Sequence, residues 1–397
     1  MRPSPVPPQR VLHCPHNIGG HPQGLARAER ELGLHSTCVS FEENYRRYPT
    51  DEILVEEGDS RLLLEARRWR LLWRALREFD VIHFNSGQSL FPLPDSFATY
   101  AVGRSPLLRR LHHLYAHALN MNDLYLLRRA GRGIVVTFQG DDARQGSTWG
   151  RGDSRFEVEL AEETDHYTRE GDAAKRRNIA KIARCADRIF YVNPDLAAVL
   201  PEWATFLPYG HIDLREWSPS KEAKPVSQTP LIVHAPFQQG VKGTRYVLDA
   251  VDRLRREGVD LEFTLLEGMS NEEVRKVYER ADLLVDQLLL GWYGGIAVEL
   301  MALGKPVVCH IREADLDVLP ADMRRDLPII RAASDTIYAV LREWLTVRRD
   351  ELPEVGRRGR TYVERWHDPL KIAASLSEDY AQLARRREPG IANHADS

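Results

Sequence analysis

The chain has 397 residues, 43% of them hydrophobic and 28% charged, a globular composition with room for two hydrophobic cores of ordinary domain size. A net charge of −3 leaves no global attraction to nucleic acid. The four cysteines, Cys14, Cys38, Cys185 and Cys309, stand too far apart for a CxxC zinc site or a disulfide framework, so small-molecule chemistry in a reducing compartment is expected.

The start, MRPSPVPPQRVLHCP, lacks the apolar run of a secretory signal, and a cytoplasmic protein is expected. No stretch approaches ~18 uninterrupted apolar residues, so no membrane span is predicted. Arginine outnumbers lysine, as in a GC-rich genome, and a bacterial source is expected. The first strand, Val11 to Cys14, runs into CPHNIGGHPQG. This loop is not GxGxxG, yet Gly19 and Gly20 let backbone approach a ligand, and the helix QGLARAERELG behind them offers an N-terminus to anions; a plain tight turn has the same sequence. Strands follow at Ser36 to Phe41 and Val81 to Phe84, with a helix from Arg61 to Phe79 between them. That helix sets Leu62, Ala66, Trp69, Trp73 and Leu76 at heptad-like spacing among arginines, which suits a core stripe with solvated charge or a basic face lying on an anionic membrane. His83 reads as a satisfied strand histidine. A helix over Pro106 to Arg129, the strand Ile134 to Phe138, a helix over Ala173 to Ala186 and the strand Arg188 to Val192 complete the first half.

The polar stretch Trp217 to Pro230 interrupts the periodicity and marks a linker, placing one domain over residues 1–216 and a second over 231–370. The second half restarts with strands at Leu231 to Ala235, Leu261 to Glu267, Asp282 to Gln287 and Pro306 to His310. Alternation of this kind predicts two doubly wound, Rossmann-like α/β domains with ligands in the cleft between them. Residues 371–397 are expected to be a helix packing back on the first domain, then a flexible tail. Two helix starts in the second half suit a diphosphate. Lys242 and Gly243 follow the first strand, and Gly291, Gly294 and Gly295 lead into IAVELMALG, where Glu299 lies one turn inside an apolar helix and wants a partner such as a ribose diol. A solvated lysine and an exposed helical glutamate are the ordinary alternatives.

KGT, LEGMSNEEV, YERADLLVDQ, the glycine turn, VELMALGKPVV and the upstream FLPYGHIDLREWSP, taken together and in this order, resemble the retaining glycosyltransferases of family 4, which have the GT-B fold. The resemblance implies a nucleoside diphosphate sugar as donor and a small or lipid-linked acceptor. It places Lys242 on the donor diphosphate, Glu299 on the ribose, Gly294 and Gly295 on the phosphates, and the turn at Glu267 and Gly268 against the base. With Gly20 and Gly243 these form the expected donor site.

Departures from the family pattern are as informative. Its first paired glutamate falls on Gly291, leaving Tyr293, Asp286 or Gln287 to read the sugar. Its arginine falls on Phe237, leaving Gln238 and Gln239 as phosphate contacts. Gln139 stands where relatives often carry histidine; a glutamine hydrogen-bonds a hydroxyl and cannot act as a base near pH 7. Catalysis is then assigned to Lys242, Gln139 and Glu299, with electrostatic support of the leaving diphosphate as the main effect. Asp141, Asp142 and Arg144 either bind the acceptor or form a charged surface turn. No cofactor or metal is expected, and the competing reading is a nucleotide-sugar binding protein without catalysis.

Overall fold

The computed structural model describes residues 9–44, 46–56, 58–93, 106–146, 167–220 and 227–385. The Pro-rich first eight residues, the centre of the predicted linker and the predicted tail lie outside them. Strands β1 (Arg10–Cys14), β2 (His35–Ser40), β3 (Glu52–Ile53), β4 (Val81–Phe84), β5 (Gly133–Phe138), β6 (Arg188–Tyr191) and β7 (Thr205–Phe206) form one sheet in the order β3-β2-β1-β4-β5-β6-β7. Strands β8 (Leu231–His234), β9 (Glu262–Leu265), β10 (Leu283–Val285), β11 (Val307–Cys309) and β12 (Ile330–Arg331) form a second, β12-β11-β10-β8-β9. Both sheets are parallel throughout. Helices cover both faces, which is why the strands read as continuous apolar runs.

The helices are α1 (His21–Glu31), α2 (Arg61–Glu78), α3 (Pro106–Leu119), α4 (Asn122–Arg129), α5 (Arg169–Cys185), α6 (Gln239–Lys242), α7 (Thr244–Arg256), α8 (Asn271–Arg280), α9 (Gly295–Ala302), α10 (Ala321–Asp326), α11 (Ile337–Thr346), α12 (Leu352–Trp366) and α13 (Pro369–Arg385). The single helix predicted over Pro106 to Arg129 is two, because the fully buried Met121 adopts φ 62° and turns the chain between α3 and α4. The edge strands β3, β7 and β12 are two residues each, too short to carry a period.

α13 returns to the first sheet. Its Ile372, Leu376, Tyr380 and Leu383 share a core with Val11, Leu25, Val81 and Val135. Beneath it runs a fully buried polar chain. Tyr380 donates to Glu29 at 3.1 Å, His83 donates to Tyr380 at 2.7 Å and accepts from Thr137 at 2.7 Å, and His13 donates to Glu29 at 2.9 Å. His83 is therefore a satisfied core histidine, with no free nitrogen for chemistry.

The heptad-like stripe on α2 is corrected by the structure. The face turned to the core is Leu64, Arg68, Leu71, Leu72 and Ala75, whereas Leu62, Trp69 and Trp73 are 85%, 45% and 52% exposed. Arg68 is tolerated inside because its guanidinium donates to the Leu90 carbonyl at 2.6 Å and lies 4.2 Å from the centre of the Phe41 ring. On α3, Leu107, Leu111 and Leu114 are also more than half exposed.

Acid is expected to weaken this fold well above the carboxylate range. Burial holds His21 and His367 down to about 3 and His234 to about 4, from an ordinary 6.5. They stay neutral when folded and protonate when unfolded, so the unfolded chain binds more protons and stability falls as pH drops below 6.5. At pH 5 each costs about 2 kcal/mol. Asp123, raised by burial to about 6, opposes the trend by roughly 1 kcal/mol, because its folded form takes up a proton first. The net result is a clear fall in urea midpoint between pH 7 and pH 5; an unchanged midpoint would contradict it.

Candidate functional site

The second sheet reverses direction of growth at the β8/β10 pair, so the loops after these strands flank its switch point, where doubly wound sheets bind ligands. After β8 comes the four-residue α6, ending in Lys242; Gly243 follows at φ 74° as N-cap of α7, a left-handed position that glycine takes without strain. After β10 come Asp286 and Gln287, then the glycine turn into α9.

Asp286 joins the two loops. One carboxylate oxygen accepts the Gly294 amide at 2.7 Å, and the other lies 3.3 Å from the Lys242 ammonium, which also donates to Gln287. Gln287 donates in turn to the Trp292 carbonyl. A side chain on Gly294 would crowd Lys242, whose nitrogen lies 3.3 Å from the Cβ position. The result is a lysine held over the start of α9, a cation plus first-turn amides with no intrahelical partner. Asp286 and Gln287 thus organise the turn. Tyr293 is fully buried, and its hydroxyl lies 3.0 Å from Tyr362 and 2.8 Å from His367, whose other nitrogen donates to the Tyr209 carbonyl. It braces the turn from within the core and does not face the cleft.

Gly291 has a packing reason. Its carbonyl accepts the Arg312 amide at 2.9 Å, and a Cβ there would stand 2.5 Å from the Arg312 Cβ. No glutamate fits in this backbone. Arg312 is itself paired with Asp315 at 2.6 Å. Exposed Gln239 donates to Glu267 at 2.6 Å, linking the lysine loop to the turn after β9, while Gln238 is half-buried and Phe237 is 60% exposed.

Glu299 is 1% exposed and faces the other domain. Tyr48, from the loop after β2, donates to one of its oxygens at 2.6 Å, and the second oxygen has no partner. The Tyr48 ring rests on Gly20, where a Cβ would come within 2.7 Å of it. Arg46, 4% exposed, donates to the Ala235 carbonyl at 3.3 Å, and its own carbonyl accepts the Asn271 amide at 2.8 Å. This loop ties the first domain to the end of β8, the start of α8 and Glu299. His211, between the domains, lies 3.4 Å from Glu299. Sequence reasoning missed Tyr48, Arg46 and His211: FEENYRRYPT has no motif, FLPYGHIDLREWSP gave His211 no role, and only the fold brings these side chains to the second domain.

Across the cleft, Gln139 follows β5 directly, its side-chain nitrogen buried and without a partner. Its carbonyl accepts from Asn193, which accepts from Tyr209 at 3.0 Å. Asp142 is used by the Gln139, Gly140 and Gly87 amides. Arg144 is buried between Asp195 at 2.6 Å and Asp141 at 2.8 Å, so this trio is a locked charge cluster at the cleft wall. The Gln139 nitrogen, both His211 nitrogens and one Glu299 oxygen are among the buried side-chain atoms without a hydrogen-bond partner, and a polar ligand at each would satisfy them.

No protein-family model and no curated protein matches the chain. Solved structures do match its fold. Sucrose-phosphate synthase from Thermosynechococcus elongatus superposes with a TM-score of 0.58 at 15% identity, over 96% of this chain and 100% of that one. HepE from Anabaena, in complex with UDP-glucose, gives 0.57 at 12% over 94% and 100%. The catalytic domain of starch synthase IV from Arabidopsis thaliana, bound to ADP and acarbose, gives 0.56 at 12% over 96% and 100%. The chain has the GT-B fold, two parallel-sheet α/β domains facing across a cleft. At this level of identity the likeness is one of fold.

Proposed function

We propose that this protein is a retaining glycosyltransferase of the family 4 type, transferring a sugar from a nucleoside diphosphate sugar to a small or lipid-linked acceptor. The observation that carries this is the convergence of Lys242, the Asp286-anchored glycine turn and Glu299 at the switch point of the second sheet. A cation and a helix start suit a diphosphate, and a buried carboxylate one turn further suits a ribose diol. UDP-glucose in HepE and ADP in starch synthase IV support a nucleotide-sugar reading on this fold.

Transfer with retention needs no side-chain base if the departing phosphate takes the acceptor proton, which suits a glutamine at position 139. The donor assignment is tested by heating the protein with UDP, GDP, ADP and their sugars. At one hundred times Kd the true nucleotide stabilises by about 2.7 kcal/mol. No shift with any of them would remove the assignment.

A lipid-linked acceptor suits the exposed Leu62, Trp69 and Trp73 of α2 beside Leu107, Leu111 and Leu114 of α3, an apolar face among arginines. Among the described residues no helix is long and apolar enough to cross a membrane. Co-sedimentation with anionic vesicles, lost in Trp69→Ser/Trp73→Ser, is the expected result; equal recovery with neutral vesicles, or from the double variant, would refute it.

A further inference from the structure

His211 stands inside FLPYGHIDLREWSP, a segment that assigns it no role. His211 lies on the segment that joins the two sheets, with its side chain 1% exposed and neither ring nitrogen hydrogen-bonded. Its place is set from both domains. On one side, Gly24 of α1 packs so closely that a Cβ would stand 2.3 Å from the Gly210 carbonyl and 2.5 Å from the His211 Cα, and the Gly210 amide donates to His21 at 2.9 Å. On the other, the imidazole lies 3.4 Å from the Cβ position of Gly295, the first residue of the eight-residue α9. The ring is therefore held between the N-terminal ends of α1 and α9, within reach of any anion that accepts the first amides of α9. An imidazole brought there with the Glu299 carboxylate 3.4 Å away and no hydrogen bond on either nitrogen is costly unless something completes it.

We propose that His211 is a donor-binding residue that donates a hydrogen bond to the diphosphate of the nucleotide, beside the α9 amides and opposite Lys242. This rests on the nucleotide-sugar reading above. A hydrogen bond to a charged oxygen is worth about tenfold or more in affinity. A residue that merely props the Glu299 carboxylate would instead act on the nucleoside.

The test is isothermal titration of wild type, His211→Ala and His211→Gln with UDP, GDP, ADP, the three nucleosides and inorganic pyrophosphate. Thermal melts without ligand confirm that each variant is folded. The expected result is a loss of about tenfold for the best nucleoside diphosphate and for pyrophosphate in His211→Ala. Partial recovery is expected in His211→Gln, which keeps an N–H donor, and the matching nucleoside should be unaffected. Unchanged diphosphate affinity in His211→Ala, or an equal loss for nucleoside and diphosphate, overturns this role while leaving the nucleotide reading intact. A wild type that binds none of the compounds overturns both.

Discussion

Lys242→Ala is expected to lower kcat/KM for sugar transfer by about 10²- to 10³-fold, the effect of removing one preorganised charge from a developing diphosphate. The same change also harms the fold. The Asp286 side chain is 2% exposed, and without the lysine it keeps the Gly294 amide and the weak Cys309 thiol contact at 4.0 Å, so a buried carboxylate loses its counter-charge. Breaking such a pair from one side costs about 3–5 kcal/mol; the lysine is 15% exposed, and water filling its place puts the expected loss at the low end. The double variant Lys242→Ala/Asp286→Asn separates the two effects. An amide oxygen still accepts from Gly294 and needs no cation, so the urea midpoint should largely recover while transfer does not. Wild-type kcat/KM in either variant would show that Lys242 carries no catalytic weight.

Gly24→Ala is the second large effect, and its sign depends on the tertiary structure. Inside a helix, alanine is better than glycine by about 1 kcal/mol, so helix propensity favours the substitution. In α1 the new methyl group would lie 2.3 Å from the Gly210 carbonyl oxygen and 2.5 Å from the His211 Cα, both backbone atoms that no rotamer change can move away. The helix must shift from the connecting segment, and a net loss of about 3 kcal/mol is expected. The melting temperature should fall by several degrees. A rise would mean that α1 and the 210–211 backbone are further apart than described.

Much of the architecture was legible from the residues alone. The strands LIVH, VIHF and RIFY stand within their predicted segments, because a parallel strand covered on both faces is a run of apolar side chains closed by turn residues, and both signals are local. A helix start and the lysine before Gly243 are properties of a few consecutive residues. Two doubly wound domains followed from two such alternating series, and the resemblance to family 4 implied that they form a GT-B fold.

What escaped was anything set by distance in space. Tyr48 meets Glu299 across 251 positions of sequence, and Arg46 reaches Ala235 across 189. Periodicity on α2 pointed to the stripe Leu62, Ala66, Trp69, Trp73 and Leu76 as a core face or a membrane face. The core took Leu64, Arg68, Leu71, Leu72 and Ala75 instead, where Phe41 and the Leu90 carbonyl receive Arg68. Tyr293 read as a sugar contact because it sits in the right turn, yet its hydroxyl turns inward to Tyr362 and His367. Sequence by itself determined the longer strands and helices and which helix starts bring glycine amides and a lysine together, because backbone geometry and charge at a helix end are local. Only the tertiary structure decided which side chains complete the site, because Tyr48, Arg46 and His211 acquire their partners when two separately coded sheets close on one another.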